Sequence, residues 1–182
     1  KPPGATVSEV EALIALAKAQ NVTLYASWHS RYAAAVAQAK AWIAQRRIER
    51  ISIQWREDVR HWHPGQPWIW EAGGFGVFDP SINALSILTE IVPEPVTLLS
   101  ASLEVPSNKD APIGATLAMA TASGAPIDTV FDWRQTGPQT WDIAVDTDNG
   151  SLLLSEGGNM LRLDGEVQMK APDEEYPAMY RR

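Results

Sequence analysis

Residues 68–83 read WIWEAGGFGVFDPSIN, a stretch that joins aromatic residues, three glycines and a helix start. Asp79-Pro80 predicts the beginning of a helix, because aspartate is a preferred N-cap residue and proline is favoured at the first helical position. Asn83 follows Asp79 by four residues, a spacing that places both side chains on one face of a helix. The stretch therefore predicts a carboxylate and an amide side by side, next to glycines that let a ligand approach the backbone closely. The alternative, in which Asp79 only caps the helix and Asn83 only faces solvent, stays open at this point.

The segment before this stretch, residues 57–70, is rich in aromatic, histidine and acidic residues and is predicted to be irregular. Loops crowded with such groups are often binding sites. Sugars are bound by this kind of pocket, with their apolar faces stacked on tryptophan and their hydroxyls held by polar side chains. The predicted pocket comprises Trp28, His29, Glu57, Trp62, His63, Asp79, Asn83 and Trp141.

Outside this region, the pattern predicts a two-layer α+β sandwich with a large, open, mostly antiparallel sheet and helices on one face. The first part of the chain alternates helices and strands. We expect a helix at 6–20, a strand at 22–27, a helix at 31–47 capped by Ser30, and a strand at 48–56. After a helix that begins at Asp79 and ends near residue 91, the remaining segments are strand-like and separated by short turns. They are 96–105, 113–122, 129–135, 140–146, 151–155 and 160–163.

The composition limits the possible partners and locations of the protein. A formal net charge of -7 over 182 residues argues against binding to a nucleic acid backbone, which needs clustered lysine and arginine. The absence of cysteine excludes disulfides and thiolate metal sites and is compatible with a cytoplasmic location. No apolar run approaches the roughly 20 residues that span a membrane, so no membrane contact is predicted.

Other chemistries are less well supported by the sequence. His61 and His63 have a spacing that two metal ligands on a strand use, but Pro64 indicates a loop, so we predict no metal site. Nothing in the sequence fixes the separation of Glu57 and Asp79, as a pair of glycosidase carboxylates requires. The chain contains neither a G-x-S-x-G nucleophile elbow nor a G-x-G-x-x-G dinucleotide fingerprint.

Two segments resemble the glucose–fructose oxidoreductase, inositol dehydrogenase and MocA family of nicotinamide-dependent sugar oxidoreductases. Lys1-Pro2 is similar to the end of that family's Glu-Lys-Pro motif, and residues 73–83 are similar in register to its Gly-Gly-Gly-x-x-x-Asp-x-Gly-x-His motif. This chain has Phe75, Ser81 and Asn83 where the family has glycine, glycine and histidine. An aspartate followed by asparagine at this spacing is similar to the L-arabinose and D-galactose 1-dehydrogenase branch.

The resemblance implies a function and roles for individual residues. It implies that residues 1–182 form a substrate-binding and catalytic C-terminal domain, truncated at both ends, of an enzyme that oxidises the C1 hydroxyl of L-arabinose or D-galactose to the lactone. Lys1 and Asp79 would be catalytic, with Lys1 as the base and Asp79 as its partner, or Asp79 acting through a water molecule. Asn83, Glu57, His63, Trp62, His29 and Trp141 would bind the sugar.

The resemblance also implies a cofactor, NAD or NADP, bound mainly by a Rossmann domain outside this chain and bordered by Lys1 and Pro2. A homo-oligomer formed through the open sheet is expected on the same grounds. The competing hypothesis is a non-catalytic sugar-binding or oligomerisation domain with the same fold.

Overall fold

An eight-stranded sheet organises the chain in a computed structural model that describes residues 3–4 and 6–181. In this part of the chain, β1 and β4 pair in parallel and the other neighbouring strands pair antiparallel, in the order β2-β3-β4-β1-β5-β6-β7-β8. The strands are β1 (Ile48–Arg56), β2 (Val96–Glu104), β3 (Gly114–Thr121), β4 (Pro126–Asp132), β5 (Thr140–Thr147), β6 (Gly150–Ser155), β7 (Met160–Leu163) and β8 (Glu166–Lys170).

Helices cover one face of the central strands. The helices are α1 (Val7–Ala19), α2 (Val36–Ile43), α3 (Val59–Trp62), α4 (Phe78–Ile91) and α5 (Glu175–Tyr180), with short 3-10 helices at His29–Tyr32, Pro67–Trp70 and Glu156–Gly158. Helices α2 and α4 pack against each other and enclose a core that includes Ile43, Ile53 and Ile87, each 0% exposed. Burying such a side chain stabilises the fold by about 1.5–3 kcal/mol. The predicted α+β sandwich with a mostly antiparallel sheet is confirmed.

Residues 6–28 pack less closely than the rest of the described chain. Thr6 caps α1 as predicted, since its hydroxyl accepts a 3.3 Å hydrogen bond from the backbone N–H of Glu9. No residue of α1 is buried, however, and its apolar side chains Leu13 and Ile14 are 39% and 41% exposed. The predicted strand at 22–27 is wrong, because this segment pairs with no other strand of the described chain. Its apolar residues Val22 and Leu24 nevertheless alternate with other residues as in a strand. A strand forms only when a neighbour accepts its hydrogen bonds, and no such neighbour is present among the described residues.

The beginning of α4 also differs from the prediction. Helix α4 begins at Phe78, two residues before Pro80, and its N-cap is Val77 rather than Asp79. Gly76, with a φ of +52°, turns the chain into the helix, and the N–H of Val77 donates a 2.7 Å hydrogen bond to the carbonyl of Pro112. Asp79 therefore lies within the first turn of the helix, where a negative charge is favourable. Its carboxylate is paired with the side chain of His63.

Two further predictions require correction. The single helix expected at 31–47 is interrupted, because a 3-10 turn at His29–Tyr32 is followed by an irregular step before α2. Ser30 lies inside that turn and makes no N-cap hydrogen bond. Strand β8 was not predicted, although Val167 and Met169 alternate with polar residues.

Candidate functional site

A cavity of about 260 Å³ lies where the helices meet the ends of β1 and β5. It is lined by residues from β1 and the residue after it, α3 and the residue after it, α4, β5, the first 3-10 helix, the turn after β6 and the C-terminal segment. These residues are His29, Ser30, Trp55, Glu57, Trp62, His63, Pro80, Asn83, Trp141, Glu156, Gly157, Asn159, Asp173 and Glu175. The fold thus collects polar and aromatic groups from positions up to 146 residues apart at one place.

Glu57 is a buried carboxylate of this cavity. It follows β1 directly, and its N–H donates a 3.0 Å hydrogen bond to the carbonyl of Asp132, which continues the sheet. The indole N–H of Trp133 donates to Oε1 at 3.2 Å, and that of Trp141 donates to Oε2 at 3.1 Å. Burial raises the pKa of Glu57, and the two indole hydrogen bonds partly oppose this shift. Glu57 is therefore held in one orientation, with remaining lone pairs available to accept hydrogen bonds.

His63 and Asp79 form a second polar pair. Nε2 of His63 lies 3.3 Å from Oδ2 of Asp79, and Nδ1 of His63 lies 3.2 Å from Oε1 of Gln66. The His63 ring packs on Trp133, with the ring centroids 5.3 Å apart. The Asp79 side chain is 8% exposed and does not line the cavity, whereas His63 does. Of this pair, His63 borders the cavity and Asp79 contacts it through His63.

His29 and Glu175 form a third pair, although they lie 146 residues apart in the sequence. Nδ1 of His29 hydrogen bonds to Oε2 of Glu175, and the hydroxyl of Ser30 donates to the same oxygen at 3.2 Å. The ring of Tyr176 stacks on His29, with centroids 4.6 Å apart. These contacts attach α5 to the first 3-10 helix and complete one wall of the cavity.

Tryptophans supply the apolar surface. The rings of Trp62 and Trp141 lie 5.6 Å apart, and those of Trp141 and Trp55 lie 6.2 Å apart. Trp55 is 4% exposed, as expected for a core residue, whereas Trp62 is 44% exposed and offers a face to a ligand. Trp28, which was expected in this pocket, lines a separate groove along α4 instead.

The turn after β6 has a strained backbone beside the cavity. Glu156, Gly157 and Gly158 have φ values of 52°, 70° and 98° in succession, and this turn places Asn159 at the cavity wall. Oδ1 of Asn159 accepts a 3.3 Å hydrogen bond from the N–H of Ala34. A left-handed conformation is costly for a residue other than glycine, as it is for Glu156.

The structure brings together six of the predicted sugar-binding residues, which are His29, Glu57, Trp62, His63, Asn83 and Trp141. Lys1 and Pro2 lie outside the described residues. Sequence reasoning missed Glu175, Asn159 and Asp173, all from the second half of the chain. Of these, only Asn159 has a local feature that could have indicated it, since it follows two glycines. Asp173 and Glu175 lie in an acidic stretch that resembles a solvated surface.

The described residues contain no cluster of three or more histidine or acidic side chains placed to hold a metal ion. Within the same part of the chain, every helix is too short or too polar to cross a membrane. The cavity offers a set of hydrogen-bond acceptors, the amides of Asn83 and Asn159, and the faces of Trp62 and Trp141. Such a set matches a small polyhydroxylated ligand with apolar C–H faces.

Known proteins have similar sequences and structures. Galactose 1-dehydrogenase of Pseudomonas fluorescens is 41% identical over 181 residues, which is 100% of this chain and 58% of that protein. The crystal structure of a D-galactose-1-dehydrogenase protein from Rhizobium etli matches 100% of this chain and 58% of its own, with a TM-score of 0.94 and 56% identity. The chain therefore spans 58% of the length of these relatives.

A more distant structure shows how widely the fold is shared. An inositol dehydrogenase homologue from Azotobacter vinelandii, crystallised with NADH and myo-inositol, has a TM-score of 0.74 at 20% identity over 91% of this chain and 45% of its own. No family model matches the chain. The chain is homologous to the galactose 1-dehydrogenases over its whole length, and it has the fold of the second domain of oxidoreductases of the glucose–fructose oxidoreductase, inositol dehydrogenase and MocA type.

Proposed function

We propose that residues 1–182 form the sugar-binding and catalytic domain of a nicotinamide-dependent aldose 1-dehydrogenase that oxidises D-galactose, and also L-arabinose, to the lactone. The observation that carries this proposal is the cavity in which Glu57, His63 and Asn83 meet the faces of Trp62 and Trp141. The names of the two similar galactose 1-dehydrogenases support the substrate class.

The cavity suits a pyranose ring. Glu57 accepts hydrogen bonds from sugar hydroxyls on the lone pairs that the two indoles leave, and Asn83 both donates and accepts. Trp62 and Trp141 pack against the C–H face of the ring. D-galactose and L-arabinose have the same configuration at C2, C3 and C4 and differ in the hydroxymethyl group at C5, so both present the same hydroxyls to these residues.

Oxidation at C1 requires removal of the hydroxyl proton as the C–H electron pair departs as hydride. We assign proton acceptance to Asp79 together with His63, since these two side chains are paired at the beginning of α4, one turn from Asn83. Direct acceptance by Asp79 needs the imidazole of His63 to turn aside or a water molecule to bridge the gap. Lys1, which the family resemblance implies as the base, lies outside the described residues, and its role stays part of the proposal.

The hydride acceptor would be NAD or NADP, whose nicotinamide ring takes the hydride from C1 when it is bound. The described residues fit a substrate site beside this group better than a site for the dinucleotide itself, because they contain no glycine-rich dinucleotide loop. The exposed apolar side of α1 and the extended residues 22–28 fit a neighbouring Rossmann domain that would supply their missing contacts. The choice between NAD and NADP would depend on that domain.

A substrate panel on the complete protein tests the proposal. Reduction of NAD and of NADP is followed with D-galactose, L-arabinose, D-glucose and D-xylose, and lactone formation is checked by mass spectrometry. We expect turnover with the first two sugars and much weaker turnover with D-glucose, which has the opposite configuration at C4. Calorimetric binding of D-galactose without turnover of any aldose would instead support the non-catalytic sugar-binding alternative.

The expected homo-oligomer belongs to the same proposal. Its support is the apolar surface of the edge strand β2, where Leu98, Leu99 and Leu103 are 56%, 67% and 51% exposed. Sedimentation of the complete protein tests it, since a monomer at micromolar concentration would contradict it.

A further inference from the structure

Glu175 is a buried carboxylate that was not predicted as a site residue and has no role in the proposed reaction. It is 7% exposed, it lines the cavity, and it belongs to the last helix of the described chain. A buried carboxylate is costly unless hydrogen bonds stabilise it. Here, one oxygen of Glu175 receives hydrogen bonds from both His29 and Ser30.

The position of the Glu175 carboxylate determines which ring nitrogen of His29 carries the hydrogen. An ionised carboxylate accepts hydrogen bonds and donates none, so the ring nitrogen that faces it must carry the hydrogen. Nδ1 of His29 is that nitrogen. In the neutral ring, Nε2 is then left with a lone pair, and His29 acts toward the cavity as a hydrogen-bond acceptor.

The ring is also held in place from the side. Tyr176 stacks on it with an interplanar angle of 16°, and the Ser30 hydroxyl lies 3.3 Å from Nδ1. The His29 side chain is 20% exposed, which leaves its outer edge accessible from the cavity. Because Glu175 and Tyr176 are neighbours on α5, one short helix fixes both the orientation and the tautomer of His29.

We propose that Glu175 is a positioning residue for sugar recognition, which holds His29 as an acceptor for one hydroxyl of the aldose. This inference rests on the proposed function, because it names a residue of the same sugar site. His29 and Glu57 both line the cavity, so they provide two acceptors for sugar hydroxyls. The site therefore selects a ligand that donates hydrogen bonds at two defined positions.

Monofluorinated sugars test this role, because fluorine replaces a hydroxyl without being able to donate a hydrogen bond. Binding of galactose and of its 2-, 3-, 4- and 6-deoxyfluoro analogues is measured by calorimetry on the complete wild-type protein and on the Glu175→Gln and His29→Phe variants. We expect one position at which the wild type prefers hydroxyl over fluorine by about ten-fold through this contact. The preference at that position should fall to about two-fold or less in Glu175→Gln, because an amide no longer fixes the tautomer. In a His29→Phe background, Glu175→Gln should change the preference no further.

The tautomer itself is observed independently of sugar and cofactor. Nitrogen-15 chemical shifts of the His29 ring in the unliganded protein should show hydrogen on Nδ1 and a lone pair on Nε2, with a mixture of tautomers in Glu175→Gln. Hydrogen on Nε2 in the wild type, or an unchanged fluorine preference in Glu175→Gln, would overturn the proposal. If the wild-type protein bound no aldose at all, the proposed function would fail as well, so the two failures are distinguishable. Glu175→Asp, which retains a carboxylate, should restore part of the preference and thereby separates positioning from a general loss of packing.

Discussion

The indole N–H of Trp141 donates a 3.1 Å hydrogen bond to Oε2 of Glu57, joining a strand residue to the carboxylate at the end of the neighbouring strand. Trp141 lies opposite Trp55 in the pairing of β5 with β1, so the sheet register places the donor beside Glu57. The same tryptophan thus orients the carboxylate with its N–H and forms an apolar wall with its ring. Polar and apolar recognition of a sugar would depend on one side chain.

Replacing Glu57 by glutamine should change how stability depends on pH. Because burial raises the pKa of Glu57 in the folded protein, the folded state holds its proton more tightly than the unfolded state does. Wild-type stability from this group is therefore fully present below the ordinary glutamate pKa of 4.5 and is lost as the pH rises through the raised value. Glutamine does not titrate. The stability of Glu57→Gln relative to wild type should increase across that interval and become constant above it.

Denaturant unfolding of both complete proteins at a series of pH values measures this difference. The variant also loses one indole hydrogen bond, which lowers its stability by about 1 kcal/mol at every pH and leaves the slope unchanged. A difference that stays flat from about pH 4 to 8 would show that the pKa of Glu57 is not raised by folding.

Replacing Trp141 by phenylalanine should weaken sugar binding while the aromatic wall stays in place. The ring still packs against the sugar, but Oε2 of Glu57 loses its donor, so the carboxylate is oriented less firmly. We expect KM to rise about five- to ten-fold, with kcat changed less. Trp68→Phe is the matched control, because Trp68 is 48% exposed and lies outside the cavity. Equal KM changes in both variants would contradict the specific role of the Trp141 N–H.

Replacing Asp79 by asparagine should lower kcat strongly while it changes the free energy of unfolding little. The amide is close in size to the carboxylate but cannot take up the proton, and loss of a general base typically lowers the rate about 10²- to 10⁴-fold. Ser81→Ala provides a control two residues away, since the Ser81 hydroxyl donates a 2.6 Å hydrogen bond to the carbonyl of Val77 inside the same helix. We expect that control to lower stability by about 1 kcal/mol and to keep kcat within a few-fold. Comparable losses of activity and stability in Asp79→Asn would favour a purely structural role for Asp79.

Local patterns were sufficient to predict most of the sheet. The alternation of Ile51, Ile53 and Trp55 with polar residues predicts β1, and all three side chains are buried against the helices. The same alternation at 22–27 led to a wrong strand, since the pattern records which side chains prefer burial but not whether a neighbouring strand exists. Asp79 was predicted as the N-cap because its local sequence fits one, yet the tertiary contact between Val77 and Pro112 sets the helix start earlier.

The candidate site was predicted where its residues are close in sequence or share a family motif. His63, Asp79 and Asn83 lie near one another in the chain, and the structure brings His63 and Asp79 to 3.3 Å. Glu175 could not be predicted, because its partner His29 lies 146 residues away and only the packing of α5 brings the two together. Whether a site residue could be predicted depends on how far apart in sequence its contacts are. Local periodicity predicts secondary structure, whereas contacts between residues distant in sequence depend on the complete fold.

Gly73 and Gly76, two of the three glycines before α4, should respond differently to alanine, although both have positive φ. At Gly76, with φ of +52°, an added Cβ would lie 2.4 Å from the carbonyl oxygen of Pro112, whereas at Gly73, with φ of +86°, no atom lies within 4 Å. Gly73→Ala therefore adds backbone strain alone and should destabilise the protein by about 1–2 kcal/mol. Gly76→Ala adds a collision with backbone atoms, and that part of the chain can move only if the hydrogen bond from Val77 to Pro112 is broken. We expect it to cost more than about 3 kcal/mol and to displace the first turn of α4, which carries Asp79. Denaturant unfolding of both variants measures the stabilities, and kcat of the folded fraction reports the displacement. If the two substitutions were equally mild, the tight contact at Pro112 would not be what fixes the start of α4.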